Sequence, residues 1–462
     1  MRVFRSLGVV AAASAFLLGC TSVYNLPVNV PLAGAAIDPD FGNAFKDAAE
    51  RDDLLIGLSF SGGGTRAAAF SFGVLEELGQ IPMRGASDTM LERIDFLSGV
   101  SGGSVTAAYF GLKKRAALSD FRQRFLLQNA EAELTTQLSL GTIGRALGGG
   151  INDSKGFTTW LDANLFGNAT FGSLRRSGSP LVWINASDIY NRVPFVFDNT
   201  AFSAICSNLD KYPLSGAVAA SAAVPLAFAP AVVQAFPGTC KEPLPPWVKR
   251  AAANRNASPM LSSYAKAVVR YREGAVPFIK LMDGGLVDNY GVSALTILRE
   301  SSETAYGPIT PQQAVNLRRG LFIVVDAKAG ISGDWVNTVE GPSGVDLLKA
   351  AVDTTIDASV GSSYTAFDRT MKDWQSSLIK WRCGLSAADR ARYGVKPGWR
   401  CNDLQMFVGR LGFDQLEPAR AALLEAIPTR FNLPQAQVDD VIAAGRDTLR
   451  ASPVFRAFAL GI

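Results

Sequence analysis

The chain of 462 residues contains no histidine. That absence removes the imidazole that takes the serine proton in a Ser-His-Asp relay, and with it the commonest nitrogen ligand for a metal. Cysteine is sparse, five residues in all and none in C-x-x-C spacing, so no zinc site is spelled out and no metal is expected. Charge of one sign is lacking as well. Lysine and arginine number 45 against 41 aspartates and glutamates, for a net charge of +4. Without a basic run, nucleic acid finds no electrostatic footprint. Repeats and low-complexity tracts are missing too. The leading apolar run, Leu7 to Leu18, is too short to span a bilayer.

What is present is a large apolar inventory: 48% hydrophobic residues, with 27 phenylalanines and 7 tryptophans. Such a chain can bury a sizeable core as one large domain or two. Continuous apolar runs at 54–60 ("LLIGLSF"), in "RIDFLSG", at 180–187, at 276–283 and at 320–327 read as buried strands, with helical stretches between them. Alternation of this kind predicts an α/β fold, a mostly parallel sheet flanked by helices. Past Gly330 the rhythm weakens. A long helix from 344, one further strand in "LQMFVGRLGF" and an amphipathic closing helix are expected there. The expected divisions are therefore 49–330 for the α/β domain and 331–462 for a mainly helical region packed on it.

The first residues form a separate unit. Arg2 and Arg5 precede the apolar run, as in a signal peptide. The run ends in Leu17-Leu18-Gly19-Cys20, which resembles the lipobox of bacterial lipoproteins, although Leu18 is bulky for its position. The resemblance implies cleavage after residue 19 and a diacylglyceryl group on the Cys20 thiol. Thr21 stands where an inner-membrane retention signal would have aspartate, which points to the outer membrane. Residues 20–48, proline-bearing and nearly uncharged, read as a lipidated tether. Cys206, Cys240, Cys383 and Cys401 remain, an even number in an exported protein, hence two disulfides with three possible connectivities. Nearest-neighbour pairing, 206 with 240 and 383 with 401, is the expectation.

The chemistry gathers at strand ends, where open α/β sheets bind ligands. Gly99-Val100-Ser101-Gly102-Gly103 reads G-x-S-x-G, the turn that presents a nucleophilic serine between strand and helix. Gly62, Gly63 and Gly64 follow the first strand. G-x-G-x-x-A there meets a dinucleotide pattern, but the second strand ends in the serine turn instead of a ribose-binding acid, and no Gly-Lys-Ser/Thr follows. No nucleotide or other cofactor is expected. The same glycine amides, with that of Gly102, can instead hold an oxyanion. Arg66 is a candidate for a substrate phosphate, or else a helix-surface arginine. With histidine absent, the base must be Asp, Glu, Lys, Tyr or Cys. Asp283, directly at a strand end, is favoured over Asp288.

Four motifs in order, "SGGGTRA", "GVSGG", "ASAAVP" at 220–225 and "DGG" at 283–285, resemble the patatin-like phospholipases. The mid-region "DSKGFTTWLDANLFGNATFGSL" is similar to that family too. Ala67 departs from the family's usual glycine. The resemblance implies a patatin-like three-layer fold over roughly 50–330 and a Ser-Asp dyad, with Ser101 as nucleophile and Asp283 as base. It implies a phospholipid or other long-chain acyl ester as substrate, met at the membrane that holds Cys20. Acyl transfer by the same dyad, or a catalytically inactive lipid-binding lipoprotein, are the alternatives.

Overall fold

The structure is a computed structural model that describes residues 22–32, 53–83, 87–135, 145–146, 149–176, 180–241, 243–331 and 333–460. The signal sequence at 1–19, Cys20 and the tether beyond residue 32 lie outside the described residues.

The described strands form one eight-stranded sheet: β1 (Leu54–Phe60), β2 (Phe96–Val100), β3 (Leu181–Asp188), β4 (Val193–Val196), β5 (Ala231–Gln234), β6 (Phe278–Asp283), β7 (Arg319–Asp326) and β8 (Gln405–Gly412). Their order is β5-β6-β3-β2-β1-β7-β8, with β4 paired to β3 off this path. From β3 to β8 all pairings are parallel, whereas β4, β5 and β6 pair antiparallel. β1 lies between β2 and β7 and is buried along its whole length. That explains its unbroken apolar run, since helices cover both faces of a parallel sheet.

Side chains alternate between two cores. Leu54, Ile56, Leu58 and Phe60 of β1 point into the larger one with Leu321, Ile323 and Val325 of β7. Leu55, Phe322 and Val324 point into the other. The first core is covered by α1 (Gly64–Leu78) and α2 (Gly102–Lys113), with further helices that include α3 (Leu214–Ser221). The second is covered by the far half of a long helix through Phe367, Met371, Trp374 and Leu378. Those residues recur at helical spacing, the stripe a covering helix needs. That helix, α5 (Gly344–Cys383), follows the short α4 (Gly285–Asp288) in the order used here. The result is the three-layer α/β architecture expected from the alternation.

Residues beyond 330 also enter the sheet. β8 extends it beside β7, and α6 (Gln435–Ala451) packs along α1. Cys206 is bonded to Cys240 and Cys383 to Cys401. Residues 22–32 do not hang free. Asn25 and Asn29 bond them to the body.

Candidate active site

β2 ends at Val100, and the next residue turns sharply. Ser101 has φ 49° and ψ −120°, a conformation costly for a side-chain-bearing residue, and α2 starts immediately after it. Several bonds hold this turn in place. The Ser101 amide donates to Ser221 Oγ at 2.8 Å, and the Ser221 hydroxyl donates to the Asn185 carbonyl at 2.6 Å. On the helix side Gly102 leaves no space for a side chain: a Cβ there would stand 1.9 Å from the Gly64 carbonyl oxygen. The serine turn and the glycine loop are thus in direct backbone contact.

The three loop glycines are not equivalent. The Gly62 amide donates to both the main-chain and the side-chain oxygen of Asn289, each at 3.2 Å. It is engaged, which corrects its assignment as an oxyanion donor. Gly63, with φ 139°, and Gly64, with φ 59°, turn the chain through backbone space that side chains rarely enter. Their amides, and that of Gly102, have no hydrogen-bond partner among the described residues. Three donors therefore remain open at the glycine loop and the start of α2.

Asp283 closes β6. Its amide donates to the Ala223 carbonyl at 2.8 Å, and that of Gly284 to the Ser221 carbonyl at 3.1 Å. The "ASAAVP" segment thus fixes both members of the pair: the Ser221 hydroxyl holds Ser101 and the local backbone holds Asp283. The buried carboxylate accepts the Gly285 N–H at 2.8 Å, and the Ser101 hydroxyl nearby also favours its charged form. Desolvation pushes its pKa up to about 6, against the pull of those two donors. Asp288 is buried as well, and burial also raises it. Its oxygens, however, take the amides of Gly291 at 3.1 Å and Ser293 at 2.6 Å.

Arg66 does not face this site. It is buried, with Nε on the Ala327 carbonyl at 3.0 Å, Nη1 on the Ile427 carbonyl and Nη2 on Thr429 Oγ1 at 3.0 Å. Burial lowers its pKa to about 10, with the nearby Asp326 charge opposing. These contacts tie the start of α1 to the segment before α6. They correct the expectation of a phosphate-binding or surface arginine. Ser221, Asn185 and Asn289 are the positioning residues that sequence reasoning missed. Ser221 lay inside a recognised motif, but nothing in the sequence marked which atom its hydroxyl would meet.

Among the described residues no cluster of acidic or cysteine side chains could hold a metal ion, and no helix is long and apolar enough to cross a membrane. A mixed, mostly parallel sheet with a strained serine at the end of β2 and a buried aspartate at the end of the antiparallel β6 defines a class of site before any comparison is made. The family model for patatin, described as patatin-like phospholipase, matches residues 58–296, just over half of the chain, and the chain belongs to that family. Among solved structures it is similar to human GIVD cytosolic phospholipase A2, at 12% identity with a TM-score of 0.42. The match covers 91% of this chain but spans only 63% of that one. No curated protein matches.

Proposed function

We propose that the protein is a serine acyl hydrolase that cleaves lipid acyl esters with a Ser101–Asp283 dyad. Asp283 takes the hydroxyl proton as Ser101 Oγ bonds to the ester carbonyl carbon, and negative charge collects on the carbonyl oxygen. The amides of Gly63, Gly64 and Gly102 are placed to stabilise that charge. Collapse of the intermediate breaks the ester bond. The departing alcohol oxygen takes the proton from Asp283 and leaves an acyl-serine. Water, deprotonated by the same carboxylate, then hydrolyses it. The observation that carries this reading is the joint placement of a strained Ser101 and a buried Asp283 by one segment, with Ser221 on the Ser101 amide and Ala223 on the Asp283 amide, next to a carboxylate that burial raises to about 6. At that value the carboxylate is a better base near neutrality than an ordinary aspartate.

A long acyl chain is the preferred substrate part. Ala223 holds the Asp283 amide, and the next residues, Val224, Pro225, Leu226 and Ala227, are apolar and only half-buried. They offer an apolar floor beside the dyad. The resemblance of the first residues to a lipobox supports anchorage of the enzyme through Cys20, facing the periplasm at a bacterial outer membrane, with phospholipid at hand. The test is treatment with a fluorophosphonate probe followed by mass mapping. Ser101 should carry the label, and Ser101→Ala should lose both label and ester turnover. Label at another residue, or turnover in the alanine variant, overturns the assignment.

A further inference from the structure

We infer that residues 22–32 are a docked strap whose outer face lies in the surface of the bilayer that holds the lipid anchor. The inference rests on the Cys20 anchor proposed above. It replaces the first part of the expected tether with a device that orients the active site.

The strap is extended and its sides differ. Inward, Asn25 Nδ2 donates to the carbonyls of Ala229 and Pro230, each at 3.1 Å, and Asn25 Oδ1 accepts the Ser154 amide at 2.8 Å. Asn29 Nδ2 donates to the Gln234 carbonyl at 2.8 Å, and its Oδ1 accepts the Gln234 amide at 2.9 Å. A side-chain amide thus pairs with the outer edge of β5 as a neighbouring strand would. The Leu32 amide adds a bond to the Cys206 carbonyl, and Val30 accepts the Asn208 amide. Outward, at every second residue, stand Tyr24, Leu26, Val28 and Val30, with 69, 73, 55 and 36% of their surface exposed.

Three observations name the occupant. Tyr24 follows Cys20 by four residues, and extended chain covers at most about 3.5 Å per residue, so a lipid on Cys20 keeps the strap close to the membrane. No charged residue occurs between Thr21 and Ile37, so nothing in this stretch resists entry into the interface. Another exposed apolar stretch, with Ile331, Val336, Val339, Leu347 and Leu348, is interspersed with Asp334, Glu340 and Asp346, which an anionic surface would repel. Docking by the strap also sets the height of the site. Asn25 grips the two carbonyls just before Ala231, and Ala231 pairs with Leu281, two residues from Asp283. The strap therefore starts at the level of the dyad.

The test uses full-length protein purified in detergent and reconstituted into vesicles of phosphatidylethanolamine and phosphatidylglycerol. A bimane label goes on Leu26→Cys or, as control, on the exposed Lys396→Cys, and the mass of the N-terminal peptide reports the anchor. Nitroxide-bearing lipid tails should quench the label at 26 and not that at 396, and iodide should do the reverse. Leu26→Gln with Val28→Gln should lower hydrolysis of vesicle phospholipid several-fold and leave turnover of a soluble short-chain ester unchanged. A lipidated Cys20 with an aqueous label at 26 overturns the strap and leaves the anchor standing. An unlipidated Cys20 with an aqueous label removes both. Shielding that persists without vesicles and grows with protein concentration overturns the inference in favour of a contact between copies.

Discussion

Asp283 and Asp288 are five residues apart, the last residues of β6 and α4, both buried and both raised by desolvation. Their partners separate them. Asp288 holds two backbone amides, those of Gly291 and Ser293, and so closes the loop that follows α4. Asp283 holds one amide, that of Gly285, and keeps the rest of its carboxylate toward the Ser101 hydroxyl, which favours its charged form. Burial makes a carboxylate basic, but only one that still faces a reacting group can act as a base. The glycine loop repeats the lesson, with Gly62 engaged by Asn289 and Gly63 and Gly64 left open.

Exchange of each acid for its amide gives the largest contrast. Asp283→Asn should lower kcat by about 10²–10⁴, the usual range for loss of a general base, and Asp288→Asn by far less. Thermal unfolding at pH 7 should separate them in the opposite sense. A folded pKa raised to about 6 means that the native state gains from protonation below the unfolded value near 3.9, and that this gain is gone above pH 6. At pH 7 the wild type carries a buried charge that Asp283→Asn does not, so this variant should melt higher. Asp288→Asn should melt lower, because an amide nitrogen cannot accept from Gly291 or Ser293, and a stranded buried donor costs about 1–3 kcal/mol. A pair of melting curves displaced in the same direction would break the comparison.

The pH profile sharpens it. kcat/KM on a soluble ester should rise with pH and level off above about 6, the value set by burial of Asp283. Asp288→Asn should keep that limb in place. A limb centred at the ordinary carboxylate value near 4 would mean that the working base is not the desolvated one.

Ser221→Ala should have a smaller effect. Its hydroxyl links the Ser101 amide to the Asn185 carbonyl in a fully buried place. Removal leaves both groups without a partner and lets the strained serine relax. A fall in kcat of about tenfold is expected, equivalent to about 1.4 kcal/mol, with KM nearly unchanged because the substrate surface is untouched. A change confined to KM would place Ser221 in binding and not in positioning.

Much of this was legible in the sequence. Six strands were marked by apolar runs long enough to be seen, and the serine turn and the Asp-Gly-Gly turn lay at two of their ends. β4 and β5, four residues each, escaped because "VPFV" and "AVVQ" are too short to show a period. The strap escaped for another reason. Two prolines and no charge read as a linker, and two asparagines pairing with β5 and its approach are tertiary facts that local pattern does not hold. Gly62 failed in the same way, since Asn289, 227 residues away, decides whether its amide is open.

Arg66 gives the smallest expected change and the last check. It lies in the glycine motif, where a cation invites a phosphate, yet each of its three nitrogens meets an acceptor supplied by the fold. Arg66→Lys replaces a planar fork with one ammonium that cannot reach all three. The segment before α6 should loosen, and turnover should fall somewhat through the shared foundation of the loop. The loss should be equal on a zwitterionic phospholipid and on an uncharged ester presented in the same mixed micelles, so the ratio of the two rates should not move. A fall confined to the phospholipid would show that the guanidinium reaches a headgroup during turnover. It would then belong with Asp283, among side chains that keep a position open for substrate, and not with Asp288.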